Sequence, residues 1–490
     1  MDAPFSKILI ANRGEVAVRI ARTAKALGIK TVTIYSDADS NALHTLVADE
    51  AYRIGGSEPT ENYLNIEAIV QVAKLSSAEA VHPGYGFLSQ RADFIERLEE
   101  EGVIFIGPSA HTQRLVGDKL GARNFFHRVG VPVIPGTFNP IDVRDAPSIA
   151  EELEYPVIIK PAGGGGGIGI QVVWSEKDLL KAINTAAQLA GKTFGQLEIY
   201  LEKYLPKARH IEVQIIGTNK GFVYHLYERE CSVQRRFQKV IEEAPSPALN
   251  TELRKKLLDL ALKAAKACSY ENAGTFEFLY DPTTQDFYLL EVNSRLQVEH
   301  PVTEMVTGVD IVREQILVAA GENPTFKQNE INIKGHAIEA RVYAEDPLAY
   351  FTPFAGQLTK YREPSGPYVR VDSGYYAGAH VPIYYDPLIM KVICWGLTRD
   401  EARRRLITAL EETIIEGVKT NIAFMHLLLN DPAFMRGDYD TRIVEERGII
   451  EKLKEYSYTQ LRLATLNLRR EVMTVSAQID AWKLASRLFP

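Results

Sequence analysis

The N-terminal part of the chain alternates between short β-prone runs and a stretch of helical periodicity. Residues 8–11 form an apolar run, and residues 31–35 are rich in β-branched and aromatic side chains, as expected for buried strands. Between them, apolar side chains recur three or four positions apart at Val16, Ile20, Ala24 and Leu27. A further strand is predicted at residues 80–81. This order of elements predicts a β-α-β unit in a Rossmann-like domain.

Two loops follow strands of this predicted sheet. Residues 11–15, ANRGE, supply one turn glycine but lack the G-x-G-x-x-G pattern, so dinucleotide binding is not expected. Residues 82–86, HPGYG, follow the strand at 80–81 and are expected to face the ligand crevice at the strand ends. The same residues would suit a rigid turn, and the two interpretations are compatible.

The predicted secondary structure changes after residue 111. A helix is predicted over residues 111–129, whereas residues 132–155 are rich in turn-forming residues and are predicted to be irregular. Strands predicted at 156–160 and 170–173 then flank the glycine-rich segment 162–169. This arrangement predicts a hairpin with a mobile tip, which suits a lid. A flexible linker is the alternative, and the flanking apolar strands disfavour it.

Two lysines stand near this predicted lid. Glycine residues let backbone N–H groups approach phosphate oxygens closely. Lys160 directly precedes the glycine-rich segment, and its ammonium can pair with a phosphate, as that of Lys119 can from outside the lid.

A second hairpin carries the densest group of polar residues. Residues 274–280 are β-prone and residues 281–286 form a turn signal, so a symmetric hairpin would pair Glu277 with Glu291. Because side chains alternate along a strand, Asn293 would share their face. Opposed carboxylates repel each other without a cation, and carboxylate and amide oxygens suit Mg²⁺ completed by phosphate and water. A solvated hairpin face is the alternative, and the apolar opposite face disfavours it.

The same strand continues into residues 291–301, EVNSRLQVEHP. Polar groups buried without partners are costly, so this density indicates a site rather than a core strand. Arg295 can bind a small anion, and Glu299 can accept a proton.

Composition narrows the class of protein. At 490 residues the chain is too long for one core and predicts about three domains. A net charge of −7 argues against a nucleic-acid binder. Cys231, Cys268 and Cys394 form no disulfide framework, which indicates a reducing compartment such as the cytoplasm. No basic leader is present and the apolar runs are short, so neither a signal peptide nor a membrane span is expected.

Residues 291–304, EVNSRLQVEHPVTE, resemble the signature of biotin carboxylase, an ATP-grasp enzyme. The resemblance runs from residue 7 to about residue 421 and includes residues 7–15 (KILIANRGE), 82–89 (HPGYGFLS), 117–119 (GDK) and 228–236 (ERECSVQRR). It implies an α/β ATP-grasp fold with an N-terminal Rossmann-like domain, a mobile lid and a C-terminal mixed α+β domain.

The resemblance also implies domain boundaries. It predicts a Rossmann-like domain at 1–114, an ATP-grasp domain at 115–330 with its lid at about 134–204, and a C-terminal domain at 331–446. Residues 447–490 would form a helical tail, in which apolar residues recur at helical spacing from Leu461. This tail would either pack on its own domain or dock a partner subunit.

The reaction implied by the resemblance is the carboxylation of biotin. ATP would phosphorylate bicarbonate to carboxyphosphate, and the carboxyl group would pass to N1′ of biotin. Lys239, Arg295, Gln297 and the backbone at Val298 would hold bicarbonate, Glu299 would be the base, and Arg341 would stabilise the biotin anion, with Tyr85 also contacting substrate. A glutamate of ordinary pKa is a weak base, so nearby charge and a dry site would have to help it.

The nucleotide site is implied in the same way. ATP would bind with Mg²⁺ or Mn²⁺ held by Glu277, Glu291 and Asn293. The nucleotide contacts carried over are Lys119, Lys160, Gly166, Gly167, Glu202, Lys203, Tyr204, Leu205, His210, Gln234, Glu277 and Glu291. Two positions depart from the family pattern: Ile168 replaces a lid arginine, and Phe237 replaces a histidine, which puts nucleotide affinity in question.

Biotin is expected on a partner chain. Residues 388–392 only loosely resemble a biotin-attachment motif and fit an ordinary strand better. The expected partners are a biotin carboxyl carrier protein and a carboxyltransferase, with a homodimer inside a larger complex. The predicted holoenzyme is an acetyl- or propionyl-CoA carboxylase. A pyruvate or 2-oxoglutarate carboxylase, another ATP-grasp ligase and a catalytically silent nucleotide-binding scaffold remain as alternatives.

Overall fold

The computed structural model describes residues 3–161, 170–194 and 199–455, with side chains of the second range described to residue 186. The predicted glycine-rich loop, including Gly166, Gly167 and Ile168, and the apolar seam of the predicted tail lie outside these residues.

The N-terminal domain is a doubly wound parallel sheet. Its strands are β1 (Lys7–Ile10), β2 (Lys30–Ser36), β3 (Glu50–Gly55), β4 (Ala80–His82) and β5 (Ile104–Phe105). Its helices are α1 (Gly14–Ala26), α2 (Leu43–Val47), α3 (Ile66–Ser76) and α4 (Ala92–Glu100). The strand order is β3-β2-β1-β4-β5, and every pairing is parallel. The Rossmann-like arrangement and the predicted strands are confirmed, with boundaries shifted by about one residue.

The predicted helix over residues 111–129 is wrong as a single element. The structure has α5 (Ala110–Gly117) and α6 (Lys119–Arg128) instead. Between them Asp118 adopts an extended backbone with φ −79° and ψ 106°, so the α5 hydrogen-bond pattern cannot continue through it. The break places Lys119 at the start of a new helix.

The lid is a small antiparallel sheet covered by helices. It contains α7 (Ala146–Glu152), β6 (Val157–Pro161), β7 (Gln171–Val173), α8 (Glu176–Phe194) and β8 (Ile199–Lys203), and its strand order is β7-β6-β8. The flanking strands are confirmed. The irregular conformation predicted for residues 132–155 is wrong for α7, because its proline lies in the first helical turn, where a missing N–H costs nothing.

An eight-stranded antiparallel sheet joins the centre of the chain to the C-terminal domain. The central elements are β9 (Arg209–Gly217), β10 (Val223–Arg235), β11 (Gln238–Ala244), α9 (Thr251–Ala267), β12 (Asn272–Asp281), β13 (Asp286–Asn293), α10 (His300–Thr307) and α11 (Ile311–Ala319). The sheet order is β13-β12-β9-β10-β11-β14-β21-β19, and the last three strands come from the C-terminal domain.

The C-terminal domain supplies the remaining elements. They are β14 (His336–Tyr343), β15 (Glu345–Asp346), β16 (Thr352–Pro353), β17 (Gly356–Gln357), β18 (Lys360–Arg362), β19 (Val369–Ser373), β20 (His380–Val381), β21 (Leu388–Gly396), α12 (Arg399–Glu412), β22 (Ile414–Glu416), α13 (Ile422–Leu429), α14 (Pro432–Arg436) and α15 (Ile443–Glu446). Residues 388–392 lie in β21, so their prediction as an ordinary strand is confirmed.

The domains share apolar cores, which fixes the site between them. Leu296, from the polar segment after β13, packs in the same cluster as Ile8 and Ile10 of β1. The three cysteines, all within the described residues, are buried and form no disulfide. In the described part of the chain, no helix is long and apolar enough to cross a membrane.

Candidate active site

A cleft with a volume of 1380 Å³ opens between the N-terminal domain, the lid and the eight-stranded sheet. Every predicted site residue that the structure describes lines this cleft, from Tyr85 on one side to Arg341 on the other. The sequence therefore identified side chains that the fold brings together from all three parts of the molecule.

The carboxylate hairpin forms one wall. β12 pairs with β13 so that Glu277 faces Glu291 and Thr275 faces Asn293, which confirms the predicted register. The amide Nδ2 of Asn293 donates to Glu277 Oε1 at 2.8 Å and lies 3.3 Å from Glu291 Oε1. Toward the turn, Phe278 pairs with Leu289, so one extra residue forms a bulge that the sequence did not predict.

This donor set fits a hard divalent cation. Two carboxylates lie on one face and supply the oxygen ligands that Mg²⁺ and Mn²⁺ prefer. In this structure the amide of Asn293 directs its Nδ2 toward them and its Oδ1 toward Arg295. A second group, formed by His210, Glu212 and Glu277, also has ligand atoms within 4.8 Å of one another. Glu277 belongs to both groups and therefore lies at the centre of the acidic region.

Lys239 lies beside this region and contacts three carboxylates. Its Nζ is 2.6 Å from Glu212, 2.8 Å from Glu277 and 2.7 Å from Glu299. Burial lowers the pKa of Lys239, but the three carboxylates outweigh burial and raise it well above its usual value. Lys239 is therefore charged and neutralises much of the acidic wall.

Glu299 is held between two cations. Its second oxygen lies 2.9 Å from Nη2 of Arg341, and the same nitrogen lies 2.6 Å from Glu242. Burial alone would raise the pKa of Glu299, but Lys239, then Arg341, hold it well below its usual value. In this state Glu299 is ionised and only weakly basic. The neighbouring cations therefore weaken Glu299 as a base, whereas nearby charge was predicted to strengthen it.

Arg295 is oriented by neutral groups. Its guanidinium donates to Gln90 Oε1 at 2.8 Å, to Gln297 Oε1 at 2.9 Å and to Asn293 Oδ1 at 3.0 Å. Gln297 in turn donates to Glu277 Oε1 at 2.8 Å. Among the described residues Arg295 has no carboxylate partner, so its charge is available to a small anion.

The side of the cleft predicted to bind the nucleotide is lined by cations. Lys160 lies 2.5 Å and Arg123 lies 2.7 Å from opposite oxygens of Glu202, whose side chain is thereby occupied. Burial, and also the charge of Lys160, lower the pKa of Lys119, while Glu291 opposes that shift. Two ammonium groups in one cleft wall favour a polyanionic ligand.

The predicted adenine segment joins the lid sheet to this wall. The N–H groups of Lys203 and Tyr204 donate to Pro135 and Pro156, whereas Leu205 N–H has no partner among the described residues. His210 accepts from Gln234 Nε2 at 2.9 Å, and its other nitrogen lies 2.8 Å from Glu277. The two predicted residues His210 and Gln234 are therefore coupled to the carboxylate hairpin.

The Tyr85 loop is held by Asn12. The amide of Asn12 donates to the carbonyls of Pro83 and Tyr85 at 2.6 and 2.8 Å. Gly84 has φ +64°, and a Cβ there would lie 2.8 Å from that amide, so only glycine fits. Tyr85 donates its hydroxyl hydrogen to Glu15, which fixes the ring in the cleft wall.

Lys391, within the segment that loosely resembles a biotin-attachment site, is completely buried. Its ammonium donates to the Val298 carbonyl at 2.8 Å and lies 3.1 Å from Glu15. The lysine therefore stabilises the backbone of the polar segment at Val298 and is inaccessible to a biotin-attaching enzyme.

Phe237, the predicted departure from the family pattern, lies at the rim of the cleft. Arg236 and Phe237 form the two-residue turn between β10 and β11. Both have positive φ, 49° for Arg236 and 67° for Phe237. The Phe237 side chain is 53% exposed. The ring therefore does not fill space in the core.

Sequence reasoning missed several buried charged residues, among them Glu212, Arg229 and Glu242. Glu212 was detectable, because His210, Glu212 and Gln214 alternate with apolar residues along β9 and therefore share a face. Arg229 donates to Glu212 from the neighbouring strand. Glu242 gives no such signal, because a bulge in β11 disturbs the alternation.

Replacing Glu291 with glutamine is expected to raise the concentration of Mg²⁺ needed for half-maximal ATP turnover. The change removes one anionic ligand from the hairpin and leaves Glu299 intact, so the rate at saturating Mg²⁺ should fall less than the affinity. Titration of turnover with Mg²⁺ measures both quantities. Asp286→Asn, at the exposed end of the same strand, is the control, and an unchanged Mg²⁺ requirement in Glu291→Gln would remove Glu291 from the ion site.

Family models match most of the chain. Residues 4–112 match "Biotin carboxylase, N-terminal domain", residues 118–325 match "Carbamoyl-phosphate synthase L chain, ATP binding domain", and residues 339–446 match "Biotin carboxylase C-terminal domain". Together with the cleft, these matches define an ATP-grasp enzyme, a ligase that consumes ATP.

Individual proteins narrow this class. The chain is 50% identical to a pyruvate carboxylase subunit from Methanothermobacter thermautotrophicus, over 99% of this chain and 100% of that one. It is 49% identical to biotin carboxylase 1 of Bacillus subtilis, over 91% of this chain and 99% of that one. The chain belongs to the biotin carboxylase family.

Solved structures agree. The biotin carboxylase domain dimer of Hydrogenobacter thermophilus 2-oxoglutarate carboxylase, crystallised with MgADP, ADP and bicarbonate, matches with a TM-score of 0.88 and 44% identity, over 91% of this chain and 98% of that one. Campylobacter jejuni biotin carboxylase matches with a TM-score of 0.87 and 45% identity, over 90% of this chain and 99% of that one.

The protein is therefore an ATP-dependent carboxylase that uses Mg²⁺, bicarbonate and biotin carried on a partner protein. Biotin carboxylase subunits act with a carrier protein and a carboxyltransferase, and they dimerise. The predicted fold, activity and cofactors are confirmed.

Proposed function

We propose that the chain is the biotin carboxylase subunit of a pyruvate carboxylase built from separate subunits. The supporting observation is the extent of similarity. Alignment with the Methanothermobacter pyruvate carboxylase subunit spans 491 residues and includes the segment after residue 446, whereas the Bacillus biotin carboxylase aligns over 447 residues.

An acyl-CoA acceptor, predicted from the sequence, is the second candidate. The alpha subunit of methylcrotonoyl-CoA carboxylase from Glycine max is 47% identical over 90% of this chain and 60% of that subunit. The biotin carboxylase half-reaction is the same for both acceptors, so the cleft residues favour neither. A cytoplasmic location and specific partner subunits remain predictions.

The roles we propose for the cleft residues follow from their positions. Arg295, with Lys239, Gln297 and the backbone at Val298, holds bicarbonate, and Glu299 deprotonates it. Lys119 and Lys160 pair with ATP phosphates, while Glu277, Glu291 and Asn293 hold the divalent ion. Tyr85 and Arg341 contact biotin, and Arg341 stabilises the charge that develops when the ureido nitrogen loses its proton.

Substrate binding would also adjust the basicity of Glu299. Lys239 and Arg341 hold the pKa of Glu299 below its usual value in the structure described. An anion that draws either cation away removes part of that stabilisation, so the pKa of Glu299 rises. The base would thus gain strength only when substrate is in place.

The acceptor is tested by reconstitution. The chain is combined with the carrier and carboxyltransferase subunits that co-purify with it from its native cells, and carboxylation of pyruvate, 2-oxoglutarate and acetyl-CoA is measured with ¹⁴C-bicarbonate. We expect incorporation of ¹⁴C only when pyruvate is the acceptor. Incorporation only with acetyl-CoA would replace this proposal by the second candidate. ATP turnover that needs Mg²⁺ and rises with bicarbonate and free biotin is the control for catalytic competence.

A further inference from the structure

A β-bulge in β11 turns two charged residues toward the groups around Glu299. Lys239 pairs with Gln234, but Ile241 pairs with Val233, so one extra residue, Val240, interrupts the alternation. Val240 and Ile241 both pack in the apolar core of the C-terminal domain. Lys239 and the residue after Ile241, Glu242, consequently both reach the charged groups around Glu299.

Glu242 and Glu299 contact the same guanidinium nitrogen. Arg341 Nη2 lies 2.6 Å from Glu242 Oε1 and 2.9 Å from Glu299 Oε2. Both glutamates are completely buried. Neither oxygen of Glu242 makes a hydrogen bond of good geometry within the described residues, so its ion pair with Arg341 is the contact that compensates its burial.

We propose that Glu242 is a positioning residue for biotin carboxylation, which holds the Arg341 guanidinium in the cleft independently of Glu299. This proposal rests on the roles proposed above for Arg341 and Glu299. Glu299 becomes neutral when it accepts a proton, and its attraction for Arg341 then falls. Neutralisation of Glu299 removes a charge that disfavours ionised Glu242. Ionised Glu242 then keeps Arg341 anchored while the other nitrogen atoms of the guanidinium meet the biotin oxygen.

The pKa of Glu242 supports the proposal that Glu242 positions Arg341 while Glu299 accepts the proton. Burial raises the pKa of Glu242, the charge of Arg341 lowers it, and the charge of Glu299 raises it again. The net effect raises the pKa of Glu242 to about 7. Loss of the charge on Glu299 therefore lowers the pKa of Glu242. The ion pair between Glu242 and Arg341 therefore becomes stronger when Glu299 is neutralised and attracts Arg341 less.

The test separates biotin-dependent from biotin-independent turnover. In Glu242→Gln we expect kcat/KM for free biotin to fall by about tenfold or more, since displacement of an orienting group is costly. Affinity for MgADP should not change, because Arg341 is not among the proposed nucleotide contacts. ATP turnover with bicarbonate alone should fall much less than biotin-dependent turnover, because Arg341 reaches that step only through the pKa of Glu299. Glu339→Gln is the matched control: Glu339 pairs directly across from Glu242 on β14 and is equally buried, but among the described residues it has no ion pair with Arg341.

A double variant distinguishes positioning from general damage. In an Arg341→Gln background, adding Glu242→Gln should cause no further loss of kcat/KM for biotin, because the group that Glu242 positions is absent. An additive loss, an equal loss with and without biotin, or an unchanged kcat/KM in the single variant would each overturn the proposal. Unimpaired biotin turnover in Arg341→Gln alone would instead refute the proposed role of Arg341.

Discussion

Glu299→Gln is expected to lower kcat for biotin-dependent ATP turnover by roughly 10²-fold or more, the usual effect of removing a general base. The substitution keeps the shape of a completely buried side chain but removes its ability to accept a proton. It also removes one of the three negative charges beside Lys239. Steady-state turnover with saturating biotin and bicarbonate measures the effect.

The affinity for MgADP checks that the cleft remains intact in this variant. Glu314→Gln is the control, because Glu314 is another buried carboxylate, lies on α11 and hydrogen-bonds to Thr325. Turnover close to that of the unaltered protein in Glu299→Gln would assign the proton transfer to a different group.

Arg229→Met is expected to lower the free energy of unfolding by about 3–5 kcal/mol, because it leaves a buried carboxylate without its partner. Arg229 is completely buried, and its guanidinium donates to Glu212 at 2.5 Å. It also donates to Gln214, Thr303 and Thr275, at 2.9, 3.0 and 3.0 Å. One side chain therefore joins three strands and the helix α10.

Urea unfolding, followed by circular dichroism, measures this loss. Arg144→Met is the control, because the Arg144 side chain is 87% exposed and pairs only with its neighbour Asp142 within the described residues. An unfolding midpoint for Arg229→Met equal to that of Arg144→Met would show that Lys239 alone compensates Glu212.

The sequence predicted the elements whose periodicity is regular. The parallel strands of the N-terminal domain and the pairing of Glu277 with Glu291 were found in this way, because a turn and a two-residue period determine which side chains meet. The resemblance to a known family then supplied residues such as His210 and Arg341, whose local pattern carries little information.

Irregular backbone explains what the sequence could not provide. One extra residue at Leu290 and another at Val240 shift the faces of β13 and β11, and neither has a clear sequence signature. The extended backbone at Asp118 divided a helix that looked continuous. The role proposed for Glu242 depends on one of these bulges, so only the three-dimensional structure revealed its contact with Arg341.

The burial of Lys391 limits how freely the domains can be recombined. This single ammonium lies beside acceptors from the first helix, the catalytic segment and the β-sheet of the C-terminal domain: Glu15, Val298 and Asp372. A chimera that exchanges the N-terminal domain with that of a distant relative must therefore preserve the acidic residue at position 15. Without it, the grafted domain would dock over an incompletely neutralised cation.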